Sequence, residues 1–263
     1  MADSLDIAID RRIARVTLNR PQVHNAFDDS LVADLTATLI RLERDPGVRC
    51  IVLTGNGSTF SAGADLNWMR DMVRASEAEN RTDSERLAAL MRTLNTLPKP
   101  TLARVNGSAY GGGVGLIACC DIAIASDGAK FGLTEVKLGL VPAVISPYVV
   151  AAIGARHARR LFVSGEIFDA AEALRMGLVH QCIPAAQLDE QVDRTLHWLA
   201  KGGPKAQREA KHLALSLGGA LDANSGRTDM QNAALIARLR VSPEGQEGLA
   251  AFLDKRPPVW TRN

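Results

Sequence analysis

The first part of the chain alternates hydrophobic and polar residues twice, in the segments LDIAID and IARVTLN. Alternation places every second side chain on one face of a strand, and Arg11–Arg12 separates the two segments, so the pattern predicts a β-hairpin. Leucines then recur at a spacing that places them on one helix face, at Leu31, Leu35, Leu39 and Leu42. We expect this helix to begin at Asp28 or Asp29, since an aspartate accepts hydrogen bonds from the first backbone amides.

The rest of the chain alternates short apolar runs with helical patterns. An almost wholly apolar run, VRCIVLTG, ends at Gly55 and is typical of a strand covered on both faces. Further strands are predicted in KPTLARVNG, DIAIAS, AKFGLTEV and LVHQCIP, and a loop in NGSTFSAGADL. Residues 71–95 are polar with spaced Leu and Met, which indicates a mobile or partner-covered helix. Helices are also expected from about Val114 and over most of the chain after Pro147, with Gly177 ending one of them.

The order of these elements indicates the fold class. Repeated strand–strand–helix units are followed by a helical tail, and no low-complexity linker separates them. The sequence therefore predicts an α/β protein with a core over residues 1–195 and a helical C-terminal region over residues 196–263.

Composition argues against several classes of partner. A net charge of +2, from 31 basic and 29 acidic residues, gives no electrostatic basis for binding nucleic acid. No run approaches the roughly 18 apolar residues that span a bilayer, and MADSLDIAIDRR is not expected to act as a signal peptide. The five histidines and four cysteines form no metal-ligand motif. We expect reduced thiols in a cytoplasmic protein.

Three consecutive glycines, Gly111–Gly113, precede an apolar run in NGSAYGGGVGL. A phosphate-binding loop is rejected, since the Lys and Ser/Thr of that motif are missing and no acidic residue stands where a ribose would need one. Two interpretations remain open. The glycines relieve crowding where a strand meets a helix, or they let a ligand carbonyl approach the free amides of a helix N-terminus. A second segment of small residues, FSAGADL, would supply a second donor for such an oxyanion hole.

A resemblance to a known family rests on five segments, GSTFSAGADL, NGSAYGGGVG, CDIAIAS, AKFGLTEVKLGLVP and AFLDKRPPVW. In this order and spacing they resemble the enoyl-CoA hydratase/isomerase family, also called the crotonase family, over essentially the whole chain. The resemblance implies a crotonase-like spiral of ββα units with a C-terminal helical trimerisation region, assembled as a homotrimer or a dimer of trimers. It also implies an acyl-coenzyme A thioester as ligand. Coenzyme A is then part of the substrate, and no separate cofactor or metal is implied.

The resemblance also assigns roles to particular residues. The backbone amides of Ala64 and Gly112 would bind the thioester carbonyl. The residues assigned to the adenine and pantetheine path, or near it, are Ala62, Asp65, Leu66, His24 and Ala26. Lys255 is assigned to the neighbourhood of the coenzyme A phosphates.

Glu135 matches the glutamate that delivers a proton to the α carbon in crotonase-type hydratases. In an extended stretch Phe131, Leu133 and Glu135 would share one face, and burial there would raise the pKa of the carboxyl group. Such a shift makes a carboxyl group a usable general acid near neutral pH. The position of the family's other glutamate holds Gly115. Either Glu135 handles both water and proton, or another residue contacts the water, or water is not the reactant.

The substrate is suggested by a finer resemblance. VPAVISPYVV and AGADLNWMR, together with Gly115, are most similar to the bacterial methylglutaconyl-CoA hydratase branch, which serves leucine and acyclic terpene breakdown. A glycine at this position also removes a like charge from beside an acidic substrate. We therefore predict an enoyl-CoA hydratase with methylglutaconyl-CoA as the favoured substrate. A double-bond isomerase of enoyl-CoA and an acyl-CoA-binding protein with little catalysis stay open as alternatives.

Overall fold

Strands and helices alternate along the chain in short units. The computed structural model describes residues 4–217 and 225–256. The strands there are β1 Leu5–Asp10, β2 Ile13–Leu18, β3 Cys50–Gly55, β4 Thr59–Ser61, β5 Thr101–Val105, β6 Ser108–Tyr110, β7 Ile122–Ser126, β8 Lys130–Gly132, β9 Ile167–Asp169 and β10 Gln181–Ile183. The α-helices are α1 Asp29–Arg44, α2 Leu66–Arg74, α3 Glu77–Thr96, α4 Gly112–Cys119, α5 Ser146–Ser164, α6 Ala170–Met176, α7 Leu188–Lys201, α8 Pro204–Leu217, α9 Ser225–Arg240 and α10 Pro243–Leu253. Short 3₁₀ helices cover Pro21–Val23, Glu135–Leu138 and Ala185–Gln187.

The strands of the strand–strand–helix units form two sheets. A six-stranded sheet has the order β1-β2-β3-β5-β7-β10, and a four-stranded sheet has the order β4-β6-β8-β9. β1 and β2 form the predicted antiparallel hairpin, and β2, β3, β5, β7 and β10 pair in parallel. β4 also pairs in parallel with β6. Because parallel strands end at the same edge, the loops after β4 and β6 lie side by side.

The hydrophobic pattern of the sequence corresponds to the buried core. The four leucines that define the face of α1 are fully buried, and the Asp28 carboxylate accepts the N–H of Leu31 at 2.8 Å, which fixes the predicted start of the helix. Every residue of β3 is buried. Its side chains alternate between two apolar clusters, because Ile51 and Leu53 face the main core while Val52 faces α7. The prediction of a strand covered on both faces is confirmed.

Several predicted boundaries differ from the structure. β8 ends at Gly132 and a 3₁₀ helix begins at Glu135, so the continuous strand predicted for AKFGLTEV is wrong. The backbone turns because Thr134 has φ −93° and ψ 7°, and the C=O of Glu135 accepts the N–H of Leu140 at 3.0 Å. α4 begins at Gly112, two residues before the predicted start. The predicted loop NGSTFSAGADL contains β4, and the sequence pattern predicts neither β6 nor β9.

The polar helix α3 is covered by its own chain. A capping box between Ser76 and Glu79 fixes its start, and its buried face includes Leu90, Met91 and Leu94. It packs against α1 and along α9. Residues 71–74 of the predicted helix belong to α2, and α9 of the same chain covers α3. Cover by a partner chain stays a prediction.

The C-terminal helices fold back on the same chain. α9 packs along α3, and α10 contacts α2 and the 3₁₀ helix Glu135–Leu138. The predicted core boundary at residue 195 lies inside α7, whose apolar face packs on the six-stranded sheet, so it marks no structural boundary. Residues 257–260, the end of the AFLDKRPPVW motif, lie outside the described residues.

The four cysteines form no disulfide. Burial raises the pKa of Cys50 and of Cys120 to about 12, so these thiols stay protonated at neutral pH. Within residues 4–217 and 225–256, no helix combines the length and the apolar character needed to cross a membrane.

Candidate active site

A cleft of about 380 Å³ opens beside the 3₁₀ helix that begins at Glu135. Its walls come from the loops after β4 and β6, from that 3₁₀ helix and the loop after it, and from α2, α3, α9 and α10. Most of its lining is apolar and includes Phe27, Met69, Met72 and Ile145. Ligand sites are commonly apolar clefts in which a few polar groups direct the chemistry.

Ala64 lines the cleft and has an unused backbone N–H. Phe27 and Ala64 form an isolated parallel bridge, in which Phe27 N–H donates to the Gly63 carbonyl at 2.6 Å. Asp65 N–H donates to the Phe27 carbonyl at 2.8 Å. In this pairing the N–H of Ala64 points away from Phe27, and it donates to no acceptor among the described residues. The amide is therefore available to a ligand.

Gly112 provides a second unused amide. It is the first residue of α4, so its N–H has no acceptor inside the helix, and none is found elsewhere in the described part of the chain. The helix dipole makes this end favourable for negative charge. A Cβ at Gly63 would lie 2.9 Å from the carbonyl oxygen of Tyr110. The two loops therefore touch, and the Ala64 and Gly112 amides lie on adjacent backbone segments.

The glycine run is also required by close packing. A Cβ at Gly112 would lie 2.5 Å from Cε2 of Phe27, and one at Gly113 would lie 2.8 Å from the carbonyl oxygen of Ser61. Gly111 has φ 48°, in the region that favours glycine. The packing interpretation is confirmed. The oxyanion role of the same segment stays a prediction.

Glu135 is the acidic side chain of the cleft lining, among the residues that the structure describes. Its Oε1 lies next to Gly111, where an added Cβ would be 3.1 Å away. Its Oε2 is buried and has no hydrogen-bond partner among the described residues. Burial raises the pKa of this carboxyl group to about 7, and a hydrogen bond to its own backbone opposes the shift. The predicted burial is confirmed, although a 3₁₀ helix and not a strand produces it.

Gly115 does not reach the cleft. It lies on the buried face of α4, and an added Cβ would be 2.3 Å from Cγ2 of Ile145 and 3.2 Å from Cε of Met91. Ile145 itself lines the cleft. The assignment of Gly115 as a catalytic position is corrected, because it supplies no group to the site and instead makes room for Ile145.

Asp65 holds the loop and is not part of the cleft lining. Its carboxylate accepts a hydrogen bond from the N–H of Asn67 at 2.8 Å, which caps α2. It also accepts a hydrogen bond from the Arg20 guanidinium at 3.0 Å. Arg20 also donates to the Ala26 carbonyl at 2.7 Å and pairs with Asp28 at 2.9 Å. This network fixes the turn before α1 against the loop before α2. The Asp65 carboxylate thus has a structural role, and the predicted contact of Asp65 with a ligand stays a prediction.

The other predicted binding residues lie in the cleft, in the buried interior or at the surface. Ala62 lines the cleft, and its predicted place on the adenine and pantetheine path stays a prediction. Leu66 is exposed on the first turn of α2, and Ala26 is buried. His24 hydrogen-bonds to β4, and Lys255 is exposed just beyond α10. The predicted residues that lie outside the cleft lining are His24, Ala26, Asp65, Leu66, Gly115 and Lys255.

Sequence reasoning missed the contribution of the C-terminal helices. α9 contributes Ile236 and Arg240 to the cleft, and α10 contributes Leu249 and Phe252. Burial lowers the pKa of Arg240 to about 10, and the nearby charge of Asp83 opposes the shift. No sequence signal marks Arg240, since a basic residue in the last turn of a helix is the ordinary complement to the helix dipole.

The comparisons with known proteins agree with this geometry. Residues 8–263 match the enoyl-CoA hydratase/isomerase family. An enoyl-CoA hydratase structure from Shewanella pealeana is 42% identical, with a TM-score of 0.80 over 98% of this chain and 96% of that one. The enoyl-CoA hydratase structure from Bacillus halodurans is 25% identical, with a TM-score of 0.88 over 95% and 100% of the two chains. The 2,3-dehydroadipyl-CoA hydratase of Escherichia coli is 32% identical over 97% of each chain.

The two interleaved sheets and the apolar cleft at the start of α4 define a crotonase fold. The chain belongs to the enoyl-CoA hydratase/isomerase family.

Proposed function

We propose that the protein is an enoyl-CoA hydratase, which adds water across the double bond of an enoyl-CoA thioester. The observation that carries the proposal is the Glu135 carboxyl group, whose buried and unpartnered Oε2 lies in an apolar cleft that also holds two unused backbone amides. A pKa of about 7 leaves much of this group protonated near neutral pH. Its environment therefore suits a general acid.

In the proposed reaction the amides of Ala64 and Gly112 donate hydrogen bonds to the thioester carbonyl oxygen. Water attacks the β carbon, the C=C electrons move toward the carbonyl, and the two amides stabilise the enolate oxygen. The Oε2–H bond of Glu135 then breaks as its proton joins the α carbon. The resulting carboxylate accepts the proton that the attacking water releases, which restores the starting state. A single carboxyl group thus suffices, consistent with Gly115 contributing no second acid.

We further propose methylglutaconyl-CoA, an acidic branched thioester of leucine or terpene breakdown, as the favoured substrate. The Escherichia coli relative is named for a dehydroadipyl thioester, whose acyl chain also carries a second carboxyl group. The apolar walls suit a short branched carbon chain. Coenzyme A enters as part of the substrate, so the reaction needs no further cofactor. The absence of disulfides supports a reducing compartment such as the cytoplasm.

A second candidate is double-bond isomerisation of an enoyl-CoA, favoured because Glu135 is the single carboxyl group among the described residues that line the cleft. A carboxylate can remove a proton from one carbon and, once protonated, deliver that proton to another carbon without water. An acyl-CoA-binding protein with little catalysis is the remaining alternative.

The test is an assay of the purified protein with 3-methylglutaconyl-CoA, crotonyl-CoA and a 3-enoyl-CoA, with identification of the products. A 3-hydroxyacyl-CoA product supports the hydratase, and a 2-enoyl-CoA formed from the 3-enoyl-CoA supports the isomerase. Thioester binding without turnover supports the third candidate and contradicts the proposal.

A further inference from the structure

Arg240 is a positively charged side chain held inside the apolar cleft. It is the last residue of α9 and is placed over Trp68, with Cζ 5.8 Å from the centre of the indole ring. Its Nη1 lies 3.4 Å from Oγ of Ser84, a long hydrogen bond to a neutral group. The nearest influential carboxylate, Asp83, pairs with Arg86 at 3.2 Å. Arg240 forms no ion pair of its own with the described residues.

A guanidinium in this setting has unused binding capacity. It carries five N–H donors in a planar fork, and one long hydrogen bond uses few of them. Removing such a charge from water is costly unless a partner compensates. An anion that enters the cleft would supply the direct ion pair that the described side chains do not.

The location of Arg240 argues for an acyl carboxylate and against a coenzyme A phosphate. Phosphate groups are strongly hydrated, so they suit an exposed cation. Lys137 is such a cation, since it is exposed and also lines the cleft. Arg240, in contrast, is surrounded by Trp68 and by the apolar Ile236 of its own helix, which are both buried. A carboxylate on a short carbon chain can enter these surroundings and form two parallel hydrogen bonds with the guanidinium.

We infer that Arg240 is a specificity-determining residue that binds a carboxylate on the acyl group, away from the thioester. This inference rests on the proposed function, because it assumes that acyl thioesters occupy the cleft. It explains how one site prefers a diacid thioester to a monoacid thioester without a second acid or base. Arginine is the suitable residue, since lysine has no fork that matches both carboxylate oxygens.

The test compares Arg240→Met and Arg240→Lys with Arg238→Met, a control at an exposed position of the same helix. Calorimetry measures the binding of glutaryl-CoA and butyryl-CoA, which differ by the terminal carboxylate and are not substrates for hydration. We expect Arg240→Met to weaken glutaryl-CoA binding by about 30- to 5,000-fold, the range for loss of a buried charge partner. Butyryl-CoA binding should change less than about threefold. Arg240→Lys should fall between the wild type and Arg240→Met, and Arg238→Met should match the wild type.

Equal weakening of both thioesters would overturn the inference and make Arg240 a structural residue between α9 and α3. Unchanged glutaryl-CoA binding would also overturn it. If Arg240→Met fails to fold, Arg240→Lys serves as the test. A ratio of glutaryl-CoA to butyryl-CoA affinity equal to that of the wild type would then contradict recognition of the carboxylate by the paired N–H donors of the guanidinium. The readout is separate from turnover. A protein that isomerises and does not hydrate would refute the proposed function while the glutaryl-CoA result still stands.

Discussion

The buried Glu135 carboxyl group suits proton transfer, and its burial lowers the stability of the folded state at high pH. Its pKa rises from 4.5 to about 7 because the folded protein buries the carboxyl group without a partner for Oε2. The folded state therefore holds this proton more tightly than the unfolded state does. The resulting stabilisation is complete below pH 4.5 and is lost as the pH rises through about 7.

Glu135→Gln should abolish most of the activity and stabilise the fold at alkaline pH. Gln keeps the size of the side chain but cannot transfer a carboxyl proton, and general acids supply about 100- to 10,000-fold in rate. At pH 8 the variant should gain at most about 3 kcal/mol in free energy of unfolding, because it has no charge to bury. Urea unfolding at pH 5 and pH 8 measures this gain, which should be much smaller at pH 5. A gain of equal size at both pH values would contradict the assigned environment, and a rate above about a tenth of wild type would contradict the role.

The dependence of turnover on pH should distinguish hydration from isomerisation. Hydration as proposed begins with protonated Glu135, so kcat for 3-methylglutaconyl-CoA should fall as the pH rises above about 7. Isomerisation begins with the carboxylate removing a proton, so its kcat should fall as the pH drops below about 7. Initial rates at saturating substrate between pH 5 and pH 9 measure how kcat depends on pH for both reactions. A hydration rate that rises through neutral pH would contradict Glu135 as the proton donor.

At the level of secondary structure elements, the N-terminus of α4 carries the proposed oxyanion contact. Gly112→Pro deletes the amide, while Gly112→Ala keeps it, and both place a Cβ against the ring of Phe27. We expect Gly112→Pro to lose about 100- to 1,000-fold more kcat than Gly112→Ala, as measured for single oxyanion donors. Steady-state assays with crotonyl-CoA measure the difference, and circular dichroism checks that both variants fold. Equal losses in the two variants would show that crowding, and not the amide, matters.

The contact between α4 and Ile145 should behave as a packing pair. Gly115→Ala puts a methyl group 2.3 Å from Cγ2 of Ile145, and overpacking of this kind costs about 1–3 kcal/mol in free energy of unfolding. Ile145→Ala removes that Cγ2, so the double variant should recover part of the loss caused by Gly115→Ala alone. A double-mutant cycle from urea unfolding measures the coupling. Additive losses would show that Gly115 and Ile145 do not compete for this space.

The elements predicted correctly are those that depend on local pattern. The alternation in β1 and β2, the leucine face of α1 and the Asp28 cap follow from neighbouring residues, and the structure has them where expected. Strand alternation predicts that Glu135 is buried. The chain instead turns into a 3₁₀ helix there, and burial comes from the surrounding cleft. The periodicity therefore predicts the burial of Glu135 correctly and its backbone conformation wrongly.

The parts that could not be predicted depend on contacts between distant segments. Gly115 looks like a missing acid in the sequence, and only the position of Ile145 from the start of α5 shows that a side chain has no room there. Arg240 lies more than a hundred residues after Ala64 and Gly112, on a helix that the sequence assigned to oligomerisation. Its place in the cleft follows from the packing of α9 on α3, which no local pattern encodes.

At the level of the whole molecule, the C-terminal helices line the cleft of their own chain. α9 and α10 contact α2, α3 and the 3₁₀ helix of the same chain, and they bring Arg240 into the cleft that holds Glu135. The C-terminal helices therefore form walls of the site, whatever further contacts they make with other subunits. The expected homotrimer or dimer of trimers remains a prediction, which sedimentation equilibrium tests as a mass three or six times that of the chain.

Mixed oligomers should show that the sites are independent. Glu135→Gln and Arg240→Met chains, co-expressed with different tags and purified through both, form assemblies that contain both variants. If each cleft is built within one chain, every site has one defect, and turnover of 3-methylglutaconyl-CoA should not exceed that of the Arg240→Met chains alone. If α9 were exchanged between subunits, some sites would combine an intact Glu135 with an intact Arg240 and would recover wild-type turnover. Crotonyl-CoA is the control, because it has no second carboxylate and should report the fraction of intact Glu135 in either arrangement. Turnover of 3-methylglutaconyl-CoA that rises to the fraction of wild-type turnover measured with crotonyl-CoA would contradict the packing of α9 on its own chain.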